Sequence, residues 1–249
     1  MILIDNFVAV IIKNQITMEK NITVIGVDTF GKEIVEGLSN DNIDGLNCIS
    51  VDVSNYKTCR WSKIRGSQYV IIVASDCTKF SRVVASFIKI RMKLLTLVMV
   101  PTIKVAQRFA NYADSATIAL SSKDVSSFIT MVSTIVNSRG HVNIDFSDIK
   151  ATLIDSKMFD FGIGQWHGEG RAIEAFHQAV KNFHIQEAAN IVVAIATNSQ
   201  SDFKLGELME MNNCLQDKLG KCDIVWGTRT DNSLADTELS MFVVASIRQ

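Results

Sequence analysis

The chain has 249 residues, 47% of them hydrophobic and 20% charged, with 25 basic against 26 acidic side chains. This is the composition of a folded globular protein, and a net charge of -1 excludes any overall pull toward nucleic acid or anionic membranes. A single proline, Pro101, stands where average usage would place roughly 12, which excludes proline-rich linkers and PxxP ligands.

Residues 1–13 (MILIDNFVAVIIK) are apolar but carry Asp5, lack a basic start and precede no small-residue cleavage site. They read as a short strand, or as a start-site artefact ahead of Met18, rather than as a signal peptide or a spanning helix of about 20 apolar residues. A cytoplasmic protein is expected. Residues 21–27 (NITVIGV), 47–53 (NCISVDV), 68–74 (QYVIIVA) and 94–100 (LLTLVMV) are continuous β-branched or apolar runs, and 115–120 is a candidate fifth. Helical spacing over 32–38 and 80–91 separates them. Such an alternation predicts an α/β half whose parallel sheet is covered on both faces.

Ser121 or Ser122 is placed to cap a helix over 124–137, which Gly140 would close. Its broad apolar face, Val125 to Val136, suits a helix buried between two halves. Gly162, Gly164, Gly168 and Gly170 read as a glycine-rich turn leading into a helix over 171–182. A strand over 190–196 and a helix over 205–219 follow, then strands over 223–228 and 238–246 that would pair as a hairpin-like unit. The expected domains are 1–120, a central helix over 121–139, and a smaller α/β unit over 140–249. The five cysteines, Cys48, Cys59, Cys77, Cys214 and Cys222, are odd in number and form no CxxC, so they read as small core residues of a reducing compartment. His141, His167, His177 and His184 form no HExxH and no cluster, so no metal site is expected.

Residues 140–153 (GHVNIDFSDIKATL) resemble the FtsZ family, the bacterial tubulin homologues, whose segment after the central helix reads close to G-L-I-N-V-D-F-A-D-V. Gly140, Asn143, Asp145, Phe146 and Asp148 fall at matching places. GIGQWHGEGRAIEAFHQAV is similar to the family's G-x-G-x-A-x-G-E-x-R-A-x-E-A pattern, and the last strands match in order through residue 246. In the first half the family's V-G-V-G-G-G-G-x-N-A-V stands as Ile25 to Val35, with Asp28, Thr29 and Phe30 in place of three glycines. The G-G-G-T-G-T-G signature is replaced by Ala74-Ser75-Asp76-Cys77-Thr78-Lys79-Phe80-Ser81, and Asp124 lies one residue from the place of the carboxylate that meets guanine. Gly26, Asp28, Gly31, Asp76, Thr78 and Asp124 are thus the degenerate nucleotide positions. The resemblance implies a Rossmann-like parallel sheet joined by a central helix to a smaller α/β domain.

A glycine-rich turn holds a triphosphate because backbone N–H groups reach its oxygens unobstructed. Losing about five charged hydrogen bonds removes roughly 7–15 kcal/mol, against about 8 kcal/mol for a micromolar ligand. Asp28 and Asp76 would add repulsion and Phe30 bulk, which Lys32 and Lys79 offset only in part. No cofactor is therefore expected. By the resemblance, Asn143, Asp145 and Asp148 form an acidic loop that enters the nucleotide site of the next subunit, where the two carboxylates orient water. The competing reading makes them helix caps only.

The expected function is a degenerate FtsZ-like protein acting by contact with an FtsZ-like subunit or by head-to-tail self-association. The enzymatic rival is a reduced GTPase binding GTP or GDP with Mg through altered loops, and the structural rival is a nucleotide-independent polymer. Family members end in a disordered linker and an adaptor-binding peptide, so a chain stopping at Gln249 is expected to have no direct membrane anchor. Glu169 and Arg171 read as a helix-start ion pair, and Trp166 as core.

Overall fold

Continuous apolar strands need cover on both faces, and the computed structural model, which describes residues 21–39, 43, 45–59, 61–137, 140–201 and 203–248, supplies it in layers. The readings made for residues 1–13 and Met18 lie outside the described residues. Strands β1 (Asn21–Gly26), β2 (Leu46–Ser50), β3 (Ser67–Val73), β4 (Leu95–Val100) and β5 (Ser115–Ile118) form one parallel sheet in the order β2-β1-β3-β4-β5. Alternation within the runs sorts the side chains. Ile22, Val24, Tyr69, Ile71, Val73, Leu97 and Met99 enter one core, while Ile25, Val70, Ile72, Val98 and Val100 enter the other.

Helix α1 (Thr29–Leu38) covers the first face, and α2 (Lys79–Ser86) and α3 (Ile103–Arg108) the second. The helical pattern over 80–91 is α-helical only to Ser86. It continues as a π-turn over Phe87–Met92, stopped by Lys93 at φ 57°.

The central helix α4 (Ser122–Asn137) lies between this sheet and a second one. Phe128 meets Tyr69 of β3 edge-on at 6.4 Å, and Phe159 and Phe161 of the second sheet at 5.3 and 5.0 Å. That arrangement accounts for its broad apolar face. Tyr69 is fully buried here, its ring stacked on Phe146 at 5.7 Å, and its hydroxyl has no hydrogen-bond partner among the described residues. Burial pushes its pKa up and keeps it neutral. Tyr69→Phe removes this stranded hydroxyl and is expected to raise unfolding free energy by about 1 kcal/mol in urea titrations. A loss of stability would mean that the hydroxyl has a partner.

Helix α5 (Phe146–Leu153) leads into the second sheet. This comprises β6 (Ser156–His167), β7 (Asn190–Thr197), β8 (Asp223–Thr230) and β9 (Glu238–Arg248) in the order β6-β9-β7-β8. Helices α6 (Arg171–Val180) and α7 (Leu205–Leu219) cover its outer face. Two expectations fail here. The last two strands do not pair: β9 lies antiparallel between β6 and β7, and β8 runs parallel to β7 at the edge. The glycine-rich turn is also shorter than expected, because Gly162 and Gly164 lie within β6. They let α6 sit directly on the strand, since a Cβ on either would fall far inside contact distance of the Ala179 or Ala175 carbonyl. Gly168 and Gly170, at φ 79° and 69°, make the turn proper.

Gly140 has no left-handed backbone that would mark a helix stop. It is glycine because a Cβ would strike the carbonyl of Thr228. Trp166 is 39% exposed near the end of β6 and stacks on His167, so it is not core. Among the described residues, no helix is long and apolar enough to cross a membrane.

Candidate functional site

In a doubly wound sheet the connections leave β1 and β3 in opposite directions, and the crevice at their carboxyl ends is where such folds bind ligands. The β1–α1 and β3–α2 turns meet at this point. Gly26 and Gly31 remain glycine for packing: a Cβ on Gly26 would strike the Gly31 carbonyl, and one on Gly31 the Val73 carbonyl. The start of α1 is thereby drawn against both strands.

The protein places its own carboxylate there. Asp28 caps α1, with Oδ1 accepting from Gly31 N–H at 2.9 Å. Its Oδ2 accepts from both the N–H and the Oγ–H of Ser75, each at 2.7 Å. One acidic side chain therefore ties the two turns together and takes backbone donors from each. Charge-assisted bonds of this kind contribute about 1.5–3 kcal/mol apiece. The sequence marked Asp28 as a source of repulsion, but its partnership with Ser75, 47 residues away, left no local signal.

The other side chains that the resemblance singled out are likewise engaged. Asp76 accepts from Cys77 N–H and pairs with the Arg108 guanidinium, which also donates to the Cys77 carbonyl at 3.1 Å. Arg108 was not singled out in the sequence, since nothing local links it to Asp76. Thr78 caps α2, accepting from Ser81 N–H at 3.2 Å. Asp124 accepts from Leu120 and Ser121 N–H at 2.8 and 3.0 Å, an acid in the first turn of α4 reaching back over its start. Lys32 points along α1 toward Glu36 at 3.8 Å, and Phe30 packs against the first core instead of filling the crevice.

The acidic loop lies at the start of α5. Asp145 caps it, accepting from Ser147 and Asp148 N–H at 2.6 and 3.1 Å, while Asp148 accepts from Asp145 N–H at 2.9 Å. This reciprocal capping box uses one oxygen of each carboxylate. Asn143 accepts from Gly140 N–H at 2.9 Å. Asn143 and Asp145 are exposed and Asp148 is half-buried, so the loop combines a structural role with open access to solvent.

Arg171 does not pair with its neighbour Glu169. It is buried at the start of α6 and holds Glu207 of α7 with two bonds, Nε–Oε1 at 2.6 Å and Nη2–Oε2 at 3.2 Å. Nη1 donates to Ser201 Oγ at 2.6 Å. All five cysteines are free, and burial raises their pKa values, so they are not activated nucleophiles. No group of three or more metal-binding side chains occurs among the described residues.

No family profile matches the chain. It is 25% identical over 157 residues to the cell division protein FtsZ 1 of Thermococcus kodakarensis, a match covering 61% of this chain and 41% of that protein. The chain thus spans less than half the length of this curated relative. The fold is similar to that of an empty FtsZ dimer from M. jannaschii, with a TM-score of 0.60 at 17% identity over 91% of this chain and 88% of the other. It is also similar to TubZ of Bacillus thuringiensis serovar israelensis in a GTPγS-form protofilament, with a TM-score of 0.67 at 9% identity over 92% and 86%.

Proposed function

We propose, from the premise that the chain belongs to the FtsZ/tubulin family, that it is a cytoskeletal member that does not take up GTP and works through contacts with FtsZ-like subunits. One observation carries this reading: the Asp28 carboxylate bonds donors of both turns that hold phosphates in the resembled family. A triphosphate would have to displace that carboxylate, lose its bonds and then sit beside its charge. The three donors that Asp28 takes are worth about 1.5–3 kcal/mol each as bonds to an anion, against about 8 kcal/mol for a micromolar ligand, so an internal anion here removes a large share of nucleotide affinity.

The acidic loop keeps the geometry to serve a neighbour. Asp145 and Asp148 are anchored by the capping box, each through one oxygen, and Asp145 is open to a docking subunit. The contact would be head to tail, with either an FtsZ-like subunit or another copy of the chain.

The test is titration with labelled GTP and GDP in magnesium buffer, followed by hydrolysis by a genuine FtsZ with and without this protein. No binding is expected, together with a change in the FtsZ rate that disappears in Asp145→Asn. Asparagine caps a helix as well as aspartate does, so this variant removes charge while preserving the fold. Binding tighter than about 10 μM would overturn the reading, since that is the range of a functional nucleotide site. An FtsZ rate unaffected by the wild-type protein would sink the docking role of the acidic loop.

A further inference from the structure

We propose that a groove beside α2 docks the apolar face of a partner's amphipathic helix whose flanks are acidic. This inference stands apart from the reading of the nucleotide crevice. The groove has a volume of about 760 Å³, and its walls include Val53, Tyr56, Trp61, Phe80, Val83 and Phe87. Along α2 and into the first residue of the π-turn that follows it, Phe80, Val83 and Phe87 recur at spacings of three and four residues and all line the groove. That is the a/d rhythm of a helix that packs against another helix. Here the stripe faces outward: Val83 is 58% exposed and Phe87 39%, and Val53, which also lines the groove, is 70% exposed. Contiguous apolar surface of this kind on a folded protein marks an interaction site.

Charge selects the occupant. Residues 53–93 contain nine basic side chains and one acid, Asp76, leaving 16 basic and 25 acidic residues elsewhere in a chain of net charge -1. Arg82 is stacked on Tyr112, and Lys89 is tied to Asp114 and Asp155. Lys79 lines the groove, and Lys57 lies 5.8 Å over the ring of Tyr56, which also lines it. The acid beside Val53, Asp52, is occupied by the N–H groups of Ser54 and Asn55. An apolar floor with basic flanks matches a helix with the opposite arrangement.

The alternatives fit less well. Pairing of α2 with the α2 of a second copy would oppose like charges along its length. Strand addition needs a free backbone edge, which a helical wall does not offer. A flat bilayer would leave the concave space between Val53 and Val83 poorly filled.

The test uses the full chain and a fluorescent helical peptide of about 18 residues, with Leu at a and d positions and Glu on the flanks, alongside a version with Lys for Glu. Vesicles of phosphatidylglycerol and phosphatidylcholine, and light scattering of the protein alone, complete the set. Binding of the Glu peptide is expected, weakening at least about tenfold in both Val83→Glu and Val53→Glu, each at an exposed groove residue, and severalfold when salt rises from about 50 to 300 mM. Both substituted residues are exposed, so circular dichroism should report unchanged folds. Equal binding of the Lys peptide, or undiminished binding by both variants, would overturn the proposal. So would a failure to bind the Glu peptide; vesicle binding or self-association lost in Val83→Glu would then identify lipid or a second copy as the occupant.

Discussion

Glu207→Ala is expected to lower the unfolding free energy by about 2–4 kcal/mol, the cost of removing a half-buried partner from a buried guanidinium. Arg171 is only 5% exposed, and Glu207 meets its guanidinium with both carboxylate oxygens. The same carboxylate accepts from Lys204 N–H at 2.8 Å, so the start of α7 loses its cap along with the pair. For a chain of this size the loss corresponds to a fall in Tm of about 4–16 °C. Arg171→Leu combined with Glu207→Leu should recover much of the deficit, because the guanidinium and its countercharge then leave together. If the double variant were no better than the single one, packing rather than charge would hold α6 to α7.

Acidity gives a second check on the same pair. Burial raises the Glu207 pKa, but hydrogen bonds from Arg171 and the Lys204 N–H outweigh it and hold the carboxyl below its usual value. The folded pKa lies below the unfolded one, so the stabilisation is fully present above the unfolded value of about 4.3. It is lost as pH falls through the folded pKa. The gap in stability between wild type and Glu207→Gln should therefore narrow between pH 7 and about pH 3 in urea titrations. A constant gap would show that the carboxylate charge contributes nothing.

Gly164→Ala is the second large loss, at about 3 kcal/mol, at the upper end for overpacking. The added methyl would point at the Ala175 carbonyl and the Ala179 backbone nitrogen, groups fixed within the α6 hydrogen-bond ladder. No flexible side chain is available to yield, so the helix itself must shift off β6. Gly162, two residues earlier, meets α6 in the same way at the Ala179 carbonyl. Gly168→Ala is the internal contrast: open space surrounds it, and only its left-handed backbone resists the change, at about 1–2 kcal/mol. Thermal unfolding that ranked Gly168→Ala as the more damaging would refute close packing as the reason for Gly164.

These residues also show where reading along the chain succeeds. The runs at 21–27, 68–74 and 94–100 announce buried parallel strands because a strand covered on both faces has no polar side to display. The helix over 205–219 was legible to its ends, as was the α4 face that meets both sheets. The pattern from Gly140 to Asp148, and its resemblance to FtsZ, could be read directly because each match lies within a few residues of the next. So could the presence of Asp28, Thr29 and Phe30 where the resembled family has glycines.

Reading by neighbours failed where a partner lies far away in sequence. Glu169 is two residues from Arg171, yet the guanidinium turns to Glu207, 36 residues on, across two packed helices. Gly162 and Gly164 looked like a turn because a turn and a close helix contact both demand a missing Cβ. The position of β9 between β6 and β7 follows from burying a central strand, which spacing in sequence does not encode. Local chemistry thus settled the identity and type of most elements, since propensity and periodicity act over a few residues. The fate of Asp28 was set by the meeting of β1 and β3, which turned an expected repulsive charge into the acceptor that joins both turns.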